Sequence, residues 1–585
     1  MNNKNFCQLL TPFAENMDME KPLPEYPRPQ LQRDSYINLN GQWDYAIYHK
    51  DQKFEGYQGK ILVPFSPESV LSGVNKVLQP DEILYYKTIF TLPKDFTKEK
   101  VLLHFGAVDY LCEVYVNGEL VGENKGGYFP FNFSIEKVIK EGENELFLKV
   151  TDPSDTSYQA KGKQKLKRGN IFYTPQSGIW QTVWLESVQE NYIESMKILP
   201  NIDSNNVEIS FKSAQNFKDV KIDVLLNGKK VTSVNGSKNN FIIEIKEPKL
   251  WSPESPTLYD LEINADGDKV KSYFGMRKFS MGRDESGYMR CFLNNKPYFH
   301  NGLLDQGYWS DGLYTPPTDE AMIYDIELTK QMGFNMLRKH IKIEPLRWYY
   351  HCDRLGILVW QDFVNGGTYA NNLLISGLSL FGANIDDRRY NLFGRKDEEG
   401  RKEYYVDSLR TIETLFNVVS LAVWVPFNES WGQFDALKAV EFIKEYDTSR
   451  LIDHASGWHD QGGGDFDSKH IYFRPVKYAP KIEENNRIYG LTEFGGYSIK
   501  IENHVFNLKR SFGYRKFKNL ESFENAVFKL YENEIIPLIP RGLSATVYTQ
   551  ISDVEDEING LITYDRKVIK IDIDKMRELN SRITL

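Results

Sequence analysis

Short runs that alternate apolar and polar residues, each broken by turn formers, fill the first third of the chain. Tyr86 to Leu92 reads YKTIFTL, Val101 to Phe105 reads VLLHF, and Cys112 to Val116 reads CEVYV before Asn117-Gly118. Asn-Gly between two alternating runs predicts a tight hairpin, because both central residues of a type I′ turn need positive φ. LFLKV (Leu146 to Val150) and TVWL (Thr182 to Leu185) continue the pattern with almost no helical periodicity, so residues 1–188 predict an antiparallel β-sandwich. Residues 189–282 repeat the theme at smaller scale in VEISF, VKIDVLLNG, FIIEIKEP and TLYDLEINADG. They predict a seven-stranded immunoglobulin-like sandwich without its usual disulfide.

Beyond about residue 290 the period changes. Thr318 is a good N-cap, Asp319 and Glu320 suit the positive end of a helix dipole, and Gly333 is placed to end that helix. Strand-like FNMLRKH follows, then a helix from Pro345 to Leu355 ending at Gly356, then ILVWQDF. The alternation continues with a helix at 403–416, SLAVWVPFNE, a helix at 435–447, RLIDHAS, HIYFR, RIYGLTEFGG, a helix at 522–535 and SATVYTQISD. Strands alternating with helices over residues 283–585 predict a parallel (β/α)8 barrel. No glycine-rich phosphate loop follows any of these strands, which removes support for a dinucleotide fold.

Composition narrows the function classes. The net charge of −9 argues against a general nucleic-acid binder, which needs a basic surface. No apolar run is long enough to span a bilayer, so no membrane partner is expected. The first residues lack the charged segment, apolar stretch and cleavage site of a secretory signal, which predicts a cytoplasmic protein. Cys7, Cys112, Cys291 and Cys352 show neither metal-ligand spacing nor a disulfide framework. The aromatic content, 14%, is high; such rings fill cores and also form platforms for the apolar faces of sugars.

Candidate chemistry collects at strand ends, where a barrel keeps its active site. LAVWVPF runs into Asn428-Glu429, and RIYGLT runs into Glu493-Phe494-Gly495-Gly496. Arg338 and His340 end another strand, Asp362 ends the next, and His470 and Tyr472 lie on the segment before Glu493. One charged residue at a strand end is usually a loop anchor or a cap. Two carboxylates after two buried strands, flanked by Asn, Arg, His, Tyr and Trp, are costly to bury unless a site uses them. Glycoside hydrolysis needs such a pair, one carboxyl to protonate the leaving oxygen and one to attack or to direct water. Spacing alone leaves the pair a generic acid/base couple.

Four further stretches identify a resemblance. GGYFPF (Gly126 to Phe131), SGIWQTVWLE (Ser177 to Glu186), LWSPESPTLYDLEI (Leu250 to Ile263) with FGMRKF (Phe274 to Phe279), and FLNNKPYFHNG at the barrel entry resemble glycoside hydrolase family 2, the β-galactosidase, β-glucuronidase and β-mannosidase group, along essentially the whole chain. The resemblance implies a sugar-binding jelly roll, an immunoglobulin-like domain and a catalytic barrel. It implies Glu429 as general acid/base, Asn428 as donor to the sugar 2-hydroxyl, Glu493 as nucleophile, Tyr472 as the tyrosine that orients it, and Arg338 as the charge that keeps it ionised. A retaining exo-β-glycosidase acting on an oligosaccharide or glycoside follows, and family members are often homo-oligomers.

Departures from the family pattern shape the rest. The usual R-x-x-H-x-P is R-K-H-I-K-I here, which puts the substrate contact of His340 in doubt. WQDFVNGG (Trp360 to Gly367) stands where the large β-galactosidases hold magnesium, so neither an essential metal nor another cofactor is expected. Glu557-Ile558-Asn559 replaces the N-x-K that recognises a glucuronate carboxylate, which favours a neutral sugar, a β-galactoside first. The extra C-terminal β-domains of the large β-galactosidases are also expected to be missing. The same mechanism on a mannoside, a glucuronide or an arabinoside is the alternative, as is a carbohydrate-binding protein that has lost catalysis.

Other residues carry two readings each. Trp431 and Trp458 either stack on sugar or pack their loops. Asp305, Gln306 and Trp309, after the first barrel strand, either touch substrate or form an Asx turn. His470 is either a ligand or a histidine satisfied by backbone. Lys163, Lys165, Lys167 and Arg168 form either a solvated loop or one that reaches over the barrel mouth. Gly462 to Gly464 with Phe466 reads as a flexible active-site loop or a simple connector.

Overall fold

The computed structural model describes residues 6–368, 370, 375, 377, 379, 383–430 and 432–585. The chain opens with two facing sheets. A six-stranded sheet runs in the order 59–63, 41–49, 82–91, 143–151, 111–116, 119–125, and a four-stranded sheet in the order 36–38, 183–188, 100–105, 131–134. Their neighbours all pair antiparallel. Alternation seals the core: Glu143–Thr151 buries every second residue, Asn144, Leu146, Leu148 and Val150. The Asn117-Gly118 hairpin forms as expected, with φ of 51° and 86°.

A second sandwich packs a three-stranded sheet (195–201, 206–212, 240–244) on a four-stranded one (229–236, 220–226, 259–265, 268–274). All four cysteines are free. Arg33 clamps the two sandwiches together, donating to Glu186 of the first at 3.1 Å and to Asp268 of the second at 2.8 Å. The hairpin of Phe279–Arg283 and Met289–Leu293 then bridges the second sandwich and the barrel, closing the barrel floor with Cys291 and Leu293.

Eight parallel strands build the barrel: β1 (His300–Asp305), β2 (Met336–Lys339), β3 (Leu358–Asp362), β4 (Leu421–Val425), β5 (Leu451–Ile452), β6 (Phe466–Ile471), β7 (Ile488–Gly495) and β8 (Leu543–Thr549). Backbone pairing runs β5-β4-β3-β2-β1-β8-β7-β6. Between β5 and β6 the links are fewer: Asp465 N donates to Ile452 O at 2.7 Å, and Ser468 Oγ donates to Asp453 Oδ1 at 2.8 Å. Helices follow β1 (Asp319–Gln331), β2 (Leu346–Leu355), β3 (Glu398–Leu415), β4 (Ala436–Tyr446), β7 (Leu520–Leu530) and β8 (Ile573–Asn580). Thr318 caps the first of these through Ala321 N, and Gly356 ends the second in the left-handed region.

Several local expectations shift. The helix expected at 403–416 starts at Glu398, because Asp397 accepts from Gly400 N at 2.8 Å and supplies an earlier cap. The strand expected over 470–474 lies at Phe466–Ile471. Phe466 is therefore the fully buried first residue of β6 and belongs to no active-site loop. Gly462 to Gly464 return the chain to the amino end of the barrel, where Arg487 donates to the carbonyls of Gly463 and Phe466, both at 2.9 Å. Only a 3-10 turn, Ile482–Glu484, stands between β6 and β7 among the described residues, so the helical ring is thinner there. No helix among those residues is long and apolar enough to cross a membrane.

Candidate active site

Two local devices aim the carboxylates. Glu429 and the next residue, Ser430, both sit in the left-handed region, at φ 46° and 69°. Neither is glycine, so this turn holds strain of about 1–3 kcal/mol per residue, which the surrounding bonds must offset. One such bond joins Glu429 N to Ser456 O at 3.1 Å. Glu493 lies within β7, where the pairing with β8 slips between Leu491 and Phe494, an irregularity that re-aims the side chains around it.

Arg338 ties the floor of the site together. Fully buried, it donates to Asp362 at 2.9 and 3.1 Å, to Thr492 O at 3.0 Å, to Glu493 Oε1 at 3.3 Å and to Asn428 Oδ1 at 2.7 Å. The Asn428 bond fixes its carboxamide so that Nδ2 remains the donor for a ligand. Tyr472 donates to Glu493 Oε2, shares a 3.0 Å contact with Thr549 Oγ1, and stacks on Tyr514 with ring centroids 3.7 Å apart. Gly496 makes room for that ring, since a Cβ there would meet Tyr514 at 2.3 Å.

His470 stands between the carboxylates, its Nδ1 2.7 Å from Glu429 Oε1 and 3.4 Å from Glu493 Oε2. Its Nε2 lies 3.1 Å from Ser456 Oγ, which donates onward to Thr492 Oγ1 at 2.9 Å. That chain assigns the ring hydrogen to Nε2 and leaves Nδ1 to accept from a protonated Glu429. Gly457, at φ 91°, admits the imidazole; a Cβ there would fall 2.3 Å from the ring. Half-buried Trp458 tilts against the same imidazole with centroids 6.4 Å apart.

Electrostatics separate the groups. Burial pushes Glu429 up to about 7, against the opposing charges of Lys163 and Arg338. Burial pulls His470 down to about 4, so the ring is neutral near pH 7. Burial also raises Glu493, with His470 pulling down, the Glu429 charge pushing up and Arg338 pulling down. When Glu429 is protonated that repulsion disappears, and Arg338 and Tyr472 leave Glu493 as the better-held anion. His340 is kept neutral by burial and donates from Nδ1 to Asp362 Oδ2 at 2.7 Å, so it braces Asp362.

Not every expected residue joins the site. Asp305 takes the Asx-turn reading: its carboxylate is committed to Gly307 N at 2.8 Å and to Lys339 Nζ at 2.6 Å. Gln306 bonds Gln550 at 2.8 Å, and Trp309 lies under the Arg566 guanidinium, 4.2 Å away. Trp431 lies outside the described residues. The basic run does reach over the mouth. Lys163 is buried, Lys165 covers the Phe172 ring at 3.6 Å, and Arg168 bonds Glu555 at 2.9 Å, while Lys167 alone of the four is exposed. Tyr514 and Glu557 also face the site, their charges or fields coupling to Glu429. Tyr514 immediately precedes a short strand, Arg515–Phe517, that lies outside the eight barrel strands, so no barrel strand-end motif marks it.

Glu429, His470 and Glu493 each offer a ligand atom, and these atoms lie within 4.8 Å of one another. They are the one group among the described residues that could hold a metal ion, and a cation there would compete with the proton between Glu429 and His470.

Fold and site together define a two-sandwich, one-barrel protein with a closely spaced carboxylate pair at the carboxyl ends of its parallel strands. Three models match in series: the glycosyl hydrolases family 2 sugar binding domain over residues 73–188, glycosyl hydrolases family 2 over 191–277, and the family 2 TIM barrel domain over 291–486. The chain belongs to glycoside hydrolase family 2. A putative β-glucuronidase of Formosa agariphila is 30% identical over 296 residues, 48% of this chain and 34% of that protein. A β-galactosidase of Priestia megaterium is 26% identical over 493 residues, 79% of this chain and 45% of that one. The matched segment thus spans less than half the length of either relative. Among solved structures, a β-D-glucuronidase of Dictyoglomus thermophilum superposes with a TM-score of 0.75 at 19% identity, covering 95% of this chain and 98% of that one. A β-galacturonidase of Eisenbergiella tayi gives 0.69 at 17% identity, covering 95% and 99%.

Proposed function

We propose that this chain is a retaining exo-β-glycosidase, with Glu429 as general acid/base and Glu493 as nucleophile. The carrying observation is proximity: ligand atoms of the two carboxylates lie within 4.8 Å of each other. Retaining glycosidases hold their carboxyls about 5–5.5 Å apart, while inverting ones need about 6.5–9.5 Å to admit a water. In the first step a Glu493 oxygen bonds to the anomeric carbon, the glycosidic C–O bond breaks, and Glu429 gives its proton to the departing oxygen. Water then attacks the same carbon, Glu429 takes a proton from it, and the bond to Glu493 breaks. Arg338 and Tyr472 hold the nucleophile, and Asn428 Nδ2 faces the sugar.

A neutral terminal sugar, a β-galactoside first, is the favoured substrate. Glu557 stands where the family's uronate-recognising asparagine is expected and sets a carboxylate against the positive charges of Lys163 and Arg338 in the same site, and the Priestia megaterium relative is a β-galactosidase. A second reading, a uronide, draws on the Formosa agariphila relative. Turnover of a panel of p-nitrophenyl β-glycosides separates these readings, with product anomers followed by proton NMR. Initial release of the β-anomer is expected. Initial release of the α-anomer would mean inversion, and no hydrolysis of any β-glycoside by folded protein would leave only carbohydrate binding.

A further inference from the structure

Lys163 comes from the first sandwich yet is held over the barrel mouth. Lys161 N and Gly162 N both donate to Asn365 O at 2.9 Å, beyond β3, and a Cβ on Gly162 would lie 2.8 Å from Ile341 O, beyond β2. Tyr173 N donates to Lys163 O at 2.9 Å. The side chain is 9% exposed, with Nζ 5.8 Å from the centroid of the Tyr173 ring, whose hydroxyl donates to Glu557. No ion pair or hydrogen bond forms to this ammonium among the described residues, and the residues outside the description include no Asp or Glu.

A buried ammonium without a partner is expensive, and a ring contact near the outer limit of cation–π range does not offset that cost. Its charge reaches Glu429, Glu493, His340 and Asp362, so the space it faces is the one the sugar must occupy. Glu557, on the other side of Tyr173, presents the opposite charge to the same space. A donor and an acceptor facing one cavity complement the hydroxyls of a neutral polyol; an anion would gain at Lys163 and lose at Glu557.

We propose that Lys163 is a specificity-determining residue that donates to a hydroxyl oxygen of the terminal sugar, so that the first sandwich completes the barrel's binding site. The inference rests on the glycosidase reading and deepens it.

The test compares Lys163→Met, Lys163→Arg and the exposed control Lys167→Met on the best p-nitrophenyl glycoside and on its monodeoxy analogues. Lys163→Met is expected to lose about 10–100-fold in kcat/KM on the parent sugar, with Lys163→Arg between it and the wild type. On one deoxy analogue, the wild type and Lys163→Met should become equal, because the hydroxyl that Lys163 binds is gone. A melting temperature no lower than that of the wild type separates this from misfolding. Equal losses on every deoxy analogue, or no loss at all, would overturn the proposal; so would a loss confined to a uronide substrate. Hydrolysis of no glycoside by the wild type would instead defeat the underlying glycosidase reading.

Discussion

His470 places Nδ1 2.7 Å from Oε1 of Glu429, inside a site where the histidine is held neutral and the carboxyl is pushed up to about 7. The pair therefore shares one proton near neutral pH, and that proton rests on the glutamate. An acid that works by giving its proton away needs this arrangement, and the bare Nδ1 keeps the hydrogen aimed.

The alkaline limb of kcat/KM should report that proton. Glu429 is active as an acid only while protonated, so activity is expected to fall as pH rises through about 7. A pH profile measured on Glu429→Gln with an activated aryl leaving group, which needs little acid assistance, should lose the limb. A limb that persists there belongs to another group.

Replacing His470 with Ala removes the acceptor that holds the acid's hydrogen. Because the protonated form loses that bond, the alkaline limb should move to lower pH, and kcat should drop more than KM rises. If the limb stays where it is and only thermal stability changes, His470 serves the packing of β6 alone.

Chemical rescue separates the two carboxylates. Glu493→Ala should be inactive and recover with azide to give the α-glycosyl azide, whereas Glu429→Ala should recover to give the β-glycosyl azide. The opposite products would exchange the assigned roles.

Stability should depend on Glu429 with a definite sign. Its folded pKa, about 7, lies above the ordinary glutamate value of 4.5, so below about 4.5 the group is protonated in both states and costs nothing. Between those values the folded state binds the extra proton, and stability falls as pH rises, reaching a cost of order 3 kcal/mol above pH 7. Glu429→Gln should therefore raise the melting temperature at pH 8.5 and leave it nearly unchanged at pH 4.5. An equal shift at both values would assign the effect to packing.

Zinc ion should inhibit reversibly by bridging Glu429, His470 and Glu493, whose ligand atoms lie within 4.8 Å. Inhibition should weaken as pH falls, because protons compete for the same atoms, and a chelator should restore activity. Inhibition that survives His470→Asn at equal strength would place the ion elsewhere.

Much of this protein is written in local pattern. The alternation of LFLKV and the Asn117-Gly118 turn set the sandwiches, because period-2 burial and positive φ are local properties. Apolar runs ending in Asn428-Glu429 and in Glu493 marked the barrel mouth for the same reason, since a buried strand that ends in charge has few other destinations. Local pattern misplaced β6: HIYFR reads as the strand, yet the tertiary pairing with β7 begins at Phe466. It also could not distinguish Asp305, which turns back onto Gly307 and Lys339, from the carboxylates that face the mouth.

What the sequence alone determined was the layer architecture, the family resemblance and the two glutamates. Tertiary structure decided how those glutamates relate to everything else. The separation within 4.8 Å, the position of His470 between them and the burial that raises Glu429 come from strands brought together by barrel closure. Lys163 shows the reason most clearly. As one lysine in a basic run it reads as solvated, and only the packing of the first sandwich on the barrel removes its water and turns it towards the site. Burial and proximity are properties of the assembled chain, and the chemistry of a charged group follows from them.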